Sequence, residues 1–176
     1  MSRPSLIVCC GLPGAGKSTV SGYVADRLGA VRYRSDEIRK ELFPEPSYDR
    51  AESIRTYDEL LGRTRTTLED GRDVVLDATF SSCEYRGRVE LLASDVDVEA
   101  TFVRVTCDPT VLRERIESRT QTASDAGYAE HLEVKAAFDD FERDHVVVDN
   151  SGTIDDTHRQ LDRSVLSTHR AESDAR

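Results

Sequence analysis

A chain of 176 residues with an apolar fraction of 38% is sized for one domain around one core. The 34 acidic residues outweigh 24 basic ones, and the formal net charge of −10 opposes non-specific adhesion to nucleic acid or to an anionic membrane, though it leaves room for a local basic patch. No apolar stretch reaches the roughly 18 to 20 residues of a bilayer-spanning helix and the N-terminus lacks a secretory pattern, so a soluble, cytoplasmic protein that avoids membranes is expected.

Leu6 to Cys10 is a continuous apolar run, as expected of a strand covered on both faces. A Gly-rich turn follows, then a helical pattern from Lys17 to Leu28 stopped by Gly29. A second strand near Ala30 to Arg34 ends at Ser35 and Asp36, with Ser35 placed to cap a short helix that Pro44 and Pro46 terminate. From Ser47 to Asp70 the chain reads as a polar helix, and Val74 to Leu76 as a third strand. A helix around Glu84 to Ala93 precedes a fourth strand, Ala100 to Val105, and Asp108-Pro109 opens another helix.

Thr120 to Gly127 has no apolar periodicity and reads as a mobile loop, part of a lid over about 113–127. A helix of about Tyr128 to Glu142, a fifth strand at Val146 to Val148 and a closing helix of about Ile154 to Leu166 complete the pattern, with a disordered tail from about 168. Alternation of strands and helices with short connections predicts a three-layer α/β domain with a five-stranded parallel sheet.

The four cysteines, Cys9, Cys10, Cys83 and Cys107, show no zinc or redox spacing and read as small buried hydrophobes in a reducing compartment. The only lysines are Lys17, Lys40 and Lys135, and the Asp-rich, Lys-poor balance would suit a high-salt cytoplasm. His131, His145, His158 and His169 carry no metal or triad spacing and read as surface or packing residues.

Gly11, Leu12, Pro13, Gly14, Ala15, Gly16, Lys17 and Ser18 match GxxxxGK[ST] in full. The glycines let backbone N–H groups turn inward around an anion, Lys17 reaches terminal phosphates, and the Ser18 hydroxyl can ligate magnesium. Strand before and helix after are the context the motif needs, since the helix N-terminus adds partial positive charge to the same site. ATP and Mg2+ are therefore the expected ligands of a P-loop NTPase fold. Thr19 can meet an α-phosphate or cap the helix.

With this loop, Ser35 to Lys40 (SDEIRK), Leu76-Asp77-Ala78-Thr79 and the segment ending Ser124-Asp125-Ala126, the sequence resembles the small P-loop kinases grouped with polynucleotide 5′-hydroxyl kinases, zeta toxins and gluconate kinases. The resemblance covers roughly Leu6 to Gly152 and implies a nucleotide-kinase-like fold with a short lid. In the polynucleotide kinase branch an Asp-x-x-Arg pair ends the second strand. Here Asp36 and Arg39 stand at that place, implying Asp36 as general base for an acceptor hydroxyl and Arg39 as a holder of a substrate anion. The bland alternative is an exposed i,i+3 ion pair.

Asp77 stands where such proteins place an acid for magnesium or its water, and Thr79 where they bind the acceptor end; Asp77 could equally cap a turn. Arg115 and Arg119 share a helix face, and the resemblance assigns them to a lid that neutralises transition-state charge, while a solvated face paired with Glu114 and Glu117 is the alternative. Arg113 falls on a different face.

The implied activity is transfer of the γ-phosphoryl of ATP to a hydroxyl, on a small molecule or a polynucleotide 5′ end. Acidic charge favours the former. The Asp36 and Asp77 motifs, with a basic cluster of Arg32, Arg34, Arg39 and Lys40 beside the expected cleft, favour the latter. A nucleotide-hydrolysing switch without a phosphorylated acceptor, and a toxin kinase acting on a nucleotide sugar, stay open as other classes.

Overall fold

The computed structural model describes residues 3–119, 124–167 and 169. Leu6–Cys10 forms strand β1, and every one of its side chains is fully buried. Because side chains alternate across a strand, Leu6, Val8 and Cys10 enter one core with Leu60, Leu76, Phe80 and Phe102, while Ile7 and Cys9 enter a second with Val20, Val24, Val103 and Leu161. A strand with two apolar faces is what a sheet covered by helices on both sides requires.

The remaining elements are α1 (Lys17–Leu28), β2 (Val31–Arg34), α2 (Ser35–Leu42), α3 (Arg50–Glu69), β3 (Val74–Asp77), α4 (Cys83–Asp95), β4 (Ala100–Thr106), α5 (Pro109–Arg119), α6 (Ser124–Ala136), β5 (Val146–Asp149) and α7 (Ile154–Leu161), which runs on into a π-helical segment Asp162–Leu166. The sheet is wholly parallel in the order β2-β3-β1-β4-β5. From β1 the chain first builds one side of the sheet and then the other, so the carboxyl end of β1 lies at the topological switch point where open α/β sheets bind ligands.

Several boundaries differ from the sequence reading. Ser35 is the first residue of α2 rather than its cap; Arg34 holds the N-cap position without a side-chain cap bond, because a guanidinium has no acceptor to offer the helix amides. Helix α6 starts at Ser124, inside the stretch expected to be loop, and stops at Ala136 rather than Glu142. Residues 120–123 of the expected lid and residues 168 and 170–176 of the expected tail lie outside the described residues.

The chain from 137 to 145 is not helical because it is bonded elsewhere. The fully buried Arg86 of α4 donates to the carbonyls of Asp139 and Asp140 as well as to those of Phe80 and Ser81. Cys9 and Cys10 are buried as expected, and burial pushes the Cys10 thiol up to about 12. Cys83 is exposed at the start of α4 and Cys107 is half-buried, so the expectation of four buried thiols fails for these two.

No helix among the described residues is long and apolar enough to cross a membrane.

Candidate active site

The loop between β1 and α1 takes its shape from backbone that only glycine tolerates. Gly11 has φ +150°, and a Cβ there would stand 2.5 Å from the Val105 carbonyl oxygen; Gly16 has φ +91°, and a Cβ would meet Asn150 Nδ2 at 2.0 Å. Gly11 N–H donates to the Thr79 carbonyl at 3.3 Å, and Ala15 N–H to that of Leu12 at 3.2 Å. Gly16 is the N-cap of α1 and carries no side chain, so no cap competes with an anion for the amides of the first turn.

Lys17 folds its ammonium back to donate to the Leu12 carbonyl at 3.1 Å. Burial lowers its pKa, while the carboxylates of Asp77 and Asp36 act in the opposite sense. Carboxylates from the end of β3 and the start of α2 thus both act electrostatically on this ammonium. Ser18 and Thr19 follow, both exposed, and Leu12, Pro13 and Gly14 form the half-exposed crest.

Asp77, only 5% exposed, accepts from Ser21 Oγ of α1 at 2.8 Å, which ties the end of β3 to the helix behind the loop instead of capping the next turn. Arg34 Nη2 donates to Ser18 Oγ at 2.9 Å, its Nε lies 3.4 Å from Asp77 Oδ2, and its Nη1 donates to Glu37 at 2.8 Å. Arg32 donates to the Ser18 carbonyl at 3.1 Å. Of the basic cluster noted in the sequence, Arg32 and Arg34 therefore serve the loop.

Asp36 is exposed in the first turn of α2, where the helix field favours a carboxylate. It is not joined to Arg39. The Arg39 guanidinium is buried against α3, 3.4 Å from Glu52 and 3.2 Å from Ser53 Oγ, and lies over the Tyr48 ring. A substrate anion at Arg39 would have to share it with Glu52. Thr79 is half-buried and touches the loop through its carbonyl.

Arg115 points at the loop: its Nη1 donates to Cys107 Sγ at 3.5 Å and lies 4.0 Å from where a Gly16 Cβ would be. Arg113 pairs with Glu117 on the outer face, as the helix spacing required. Arg119 ends α5, and its side chain lies outside the described residues.

Two residues that the sequence did not single out hold the loop from behind and in front. Asn150, 7% exposed after β5, donates to the Ala15 carbonyl at 2.9 Å and accepts from Thr157 Oγ1 at 2.8 Å. His131 on α6, 4% exposed, has Nδ1 3.1 Å from the Pro13 carbonyl. Neither carries a local signal, because each acts on a partner more than a hundred residues away.

Ser18 and Asp77 offer hard oxygens that suit magnesium, and both meet the Arg34 guanidinium. Among the described residues no group of three or more His, Cys, Asp or Glu could hold a metal. A metal here would draw most of its shell from phosphates and water, as P-loop sites do.

Parallel strand order, glycine-shaped loop and lysine define a P-loop NTPase domain of the small-kinase fold. The chain belongs to the family described as AAA domain, whose profile matches residues 6–141. The uncharacterized protein Rv2004c of Mycobacterium tuberculosis is 32% identical over 128 residues, which are 66% of this chain and 26% of that protein. A Mycobacterium bovis protein, Mb2027c, matches to the same extent, so the chain spans about a quarter of the length of the curated relatives it matches.

Among solved structures, the Mycobacterium tuberculosis APS kinase CysC, in complex with AMPPNP and APS, is similar with a TM-score of 0.71 at 17% identity, covering 92% of this chain and 96% of that one. A gluconokinase from Sinorhizobium meliloti 1021 gives 0.64 at 22%, covering 99% and 97%. The Pnkp1/Rnl/Hen1 RNA repair complex gives 0.60 at 21%, covering 79% and 47%. These likenesses establish the fold.

Proposed function

We propose that the protein is a kinase that moves the γ-phosphoryl group of ATP to a hydroxyl on a small acceptor. The observation that carries the reading is that Arg34, at the junction of β2 and α2, joins Ser18 of the loop to Asp77 of β3, which brings the first turn of α2, with Asp36, beside the phosphate loop. A nucleotide switch has use for one acid at the metal; a second, exposed in the first turn of α2, suits the proton of an attacking hydroxyl.

In this reading the loop amides and Lys17 hold the β- and γ-phosphates, and Ser18 with Asp77 holds magnesium. When bound, the metal neutralises charge on the phosphate oxygens. Asp36 accepts the acceptor's proton as its oxygen attacks, and Arg115, with Arg119, balances charge on the transferring group. Catalysis is chiefly positioning and electrostatics.

A cavity of about 320 Å3 opens beside Gly11 and Leu12, walled by Arg104, Lys135, Phe138, Asp139, Asp140 and Phe141. Its size is that of a small-molecule site, but Lys17 and Asp36 are not among its lining residues, so the preference for a small acceptor rests on the acidic net charge and not on this cavity. Kinases of this fold whose names give APS and gluconate as substrates support the same class.

The test is magnesium-dependent ATP consumption, in low and high salt, against nucleosides, sugars, small hydroxy acids and 5′-hydroxyl oligonucleotides, with Lys17→Ala as control. Stimulation by a small acceptor that disappears in Asp36→Ala supports the reading. Stimulation by oligonucleotides alone moves the acceptor to nucleic acid, and tight ATP binding without acceptor-dependent turnover in either protein leaves a switch.

A further inference from the structure

The Arg34 guanidinium lies between Ser18 Oγ and Asp77 Oδ2, the two groups through which the site would hold magnesium. Its side chain is 26% exposed, its Nη2 bond to Ser18 is 2.9 Å, and its contact with Asp77 is an ion pair at 3.4 Å. Asp77 is nearly buried, and its same oxygen also accepts from Ser21. Arg32 crowds the same helix turn through the Ser18 carbonyl.

We propose that Arg34 is the resident counter-cation of the magnesium seat: guanidinium and metal compete for Ser18 and Asp77, so the metal is taken up with nucleotide rather than alone. The proposal rests on the reading of Ser18 and Asp77 as metal ligands. A buried carboxylate needs a positive partner, and a covalently attached one supplies it at no cost in association. A divalent ion approaching the pair meets a like charge within ion-pair distance of its ligand, and the repulsion is strong in a partly desolvated site. The phosphates of a bound nucleotide reverse this balance by adding negative charge.

Displaced from the metal seat, Arg34 keeps one partner. Its Nη1 is held by Glu37, one turn along the helix that carries Asp36 in its first turn. The guanidinium freed from the metal seat therefore stays beside the helix turn that carries the general base. Arg34 acts in this scheme as a positioning residue.

The experiment is Mn2+ binding, read from the electron paramagnetic resonance signal of the free ion, with and without ATP, in the parent and in Arg34→Met, Arg34→Lys, Asp77→Asn and the Arg34→Met/Asp77→Asn double variant. Without nucleotide, Arg34→Met is expected to bind Mn2+ on the order of tenfold more tightly than the parent, Arg34→Lys to stay near the parent, and the double variant to lose the gain. A damaged fold weakens binding, so a gain in affinity is a readout that a merely structural role does not produce. Circular dichroism confirms that each variant is folded, with Arg34→Gln as substitute if Arg34→Met is not.

Equal Mn2+ affinity in Arg34→Met and the parent, with Asp77→Asn still weakening binding in the presence of ATP, overturns the proposal and leaves Arg34 as an ordinary ion pair. If Asp77→Asn changes Mn2+ binding in neither condition, the metal reading itself fails and takes the proposal with it.

Discussion

Replacing Arg86 by methionine removes every N–H donor from a fully buried side chain while keeping most of its apolar length. The two shortest bonds, each 2.7 Å, run to the Phe80 and Asp140 carbonyls, and longer ones of 3.2 Å to Ser81, Asp139 and the Cys83 thiol. Hydrogen bonds from a charged donor contribute about 1.5–3 kcal/mol each, and carbonyls left buried without a partner add to the loss. Against this, losing a buried cation recovers its desolvation cost, and Nε, buried without a partner, stops being a liability.

The balance is a loss of about 3 kcal/mol, which for a chain of this length lowers Tm by about 6–12 °C. The stacking of the guanidinium on Phe138 and Phe141 is lost as well, which keeps the estimate from falling lower. Urea unfolding followed by two probes measures the change, and Arg86→Lys, which keeps charge but cannot fork to both pairs of carbonyls, is expected to lose about half as much. An Arg86→Met protein within about 0.5 kcal/mol of the parent would refute the reasoning, since that is the range of a surface change.

Burial sets the Lys17 pKa below the 10.5 of an ordinary lysine, and phosphate needs the charged form. ATP affinity is therefore full below the lowered value and declines as pH rises through it, with proton uptake visible by calorimetry in buffers of different ionisation enthalpy; Lys17→Met should lose both affinity and slope. Gly16→Ala places a Cβ against Asn150 in a left-handed backbone and should weaken ATP binding by about a hundredfold; adding Asn150→Ala relieves the clash but not the strain, so the double variant should bind better than Gly16→Ala alone. Asp36→Asn should lower acceptor-dependent turnover by about 10²–10⁴-fold with ATP binding within about twofold of the parent, measured by steady-state assay and titration.

The strands and the loop were legible because their signals are local: β1 is five consecutive apolar residues buried on both faces, and the phosphate motif lies wholly between Gly11 and Ser18. Helix α6 was displaced because its start, Ser124 to Gly127, has no apolar stripe, and its end is fixed by Arg86, some fifty residues earlier. The resemblance to polynucleotide kinases gives Arg39 a substrate anion, and no spacing in the sequence announces the contacts it makes with Glu52 and Ser53 on α3. Arg34 looked like one member of a basic cluster, and only the register of β2 against β3, which sets Arg34 opposite Asp77, brings it to the loop. Asn150 and His131 are the hardest case, since a lone amide or imidazole in sequence says nothing about a carbonyl more than a hundred residues away.

Asn150 and α7 give the order of synthesis a consequence. The phosphate loop precedes by 135 residues the amide that fixes its Ala15 carbonyl, that of Asn150, which is itself held by Thr157. Helix α1 is clamped by the same late segment, with Tyr23 stacked on His158 at 3.7 Å and bonded to Asp162. A nascent chain halted between the loop and α7 thus carries the complete motif without its clamp, and the loop is expected to reach its final shape only once α7 has been made.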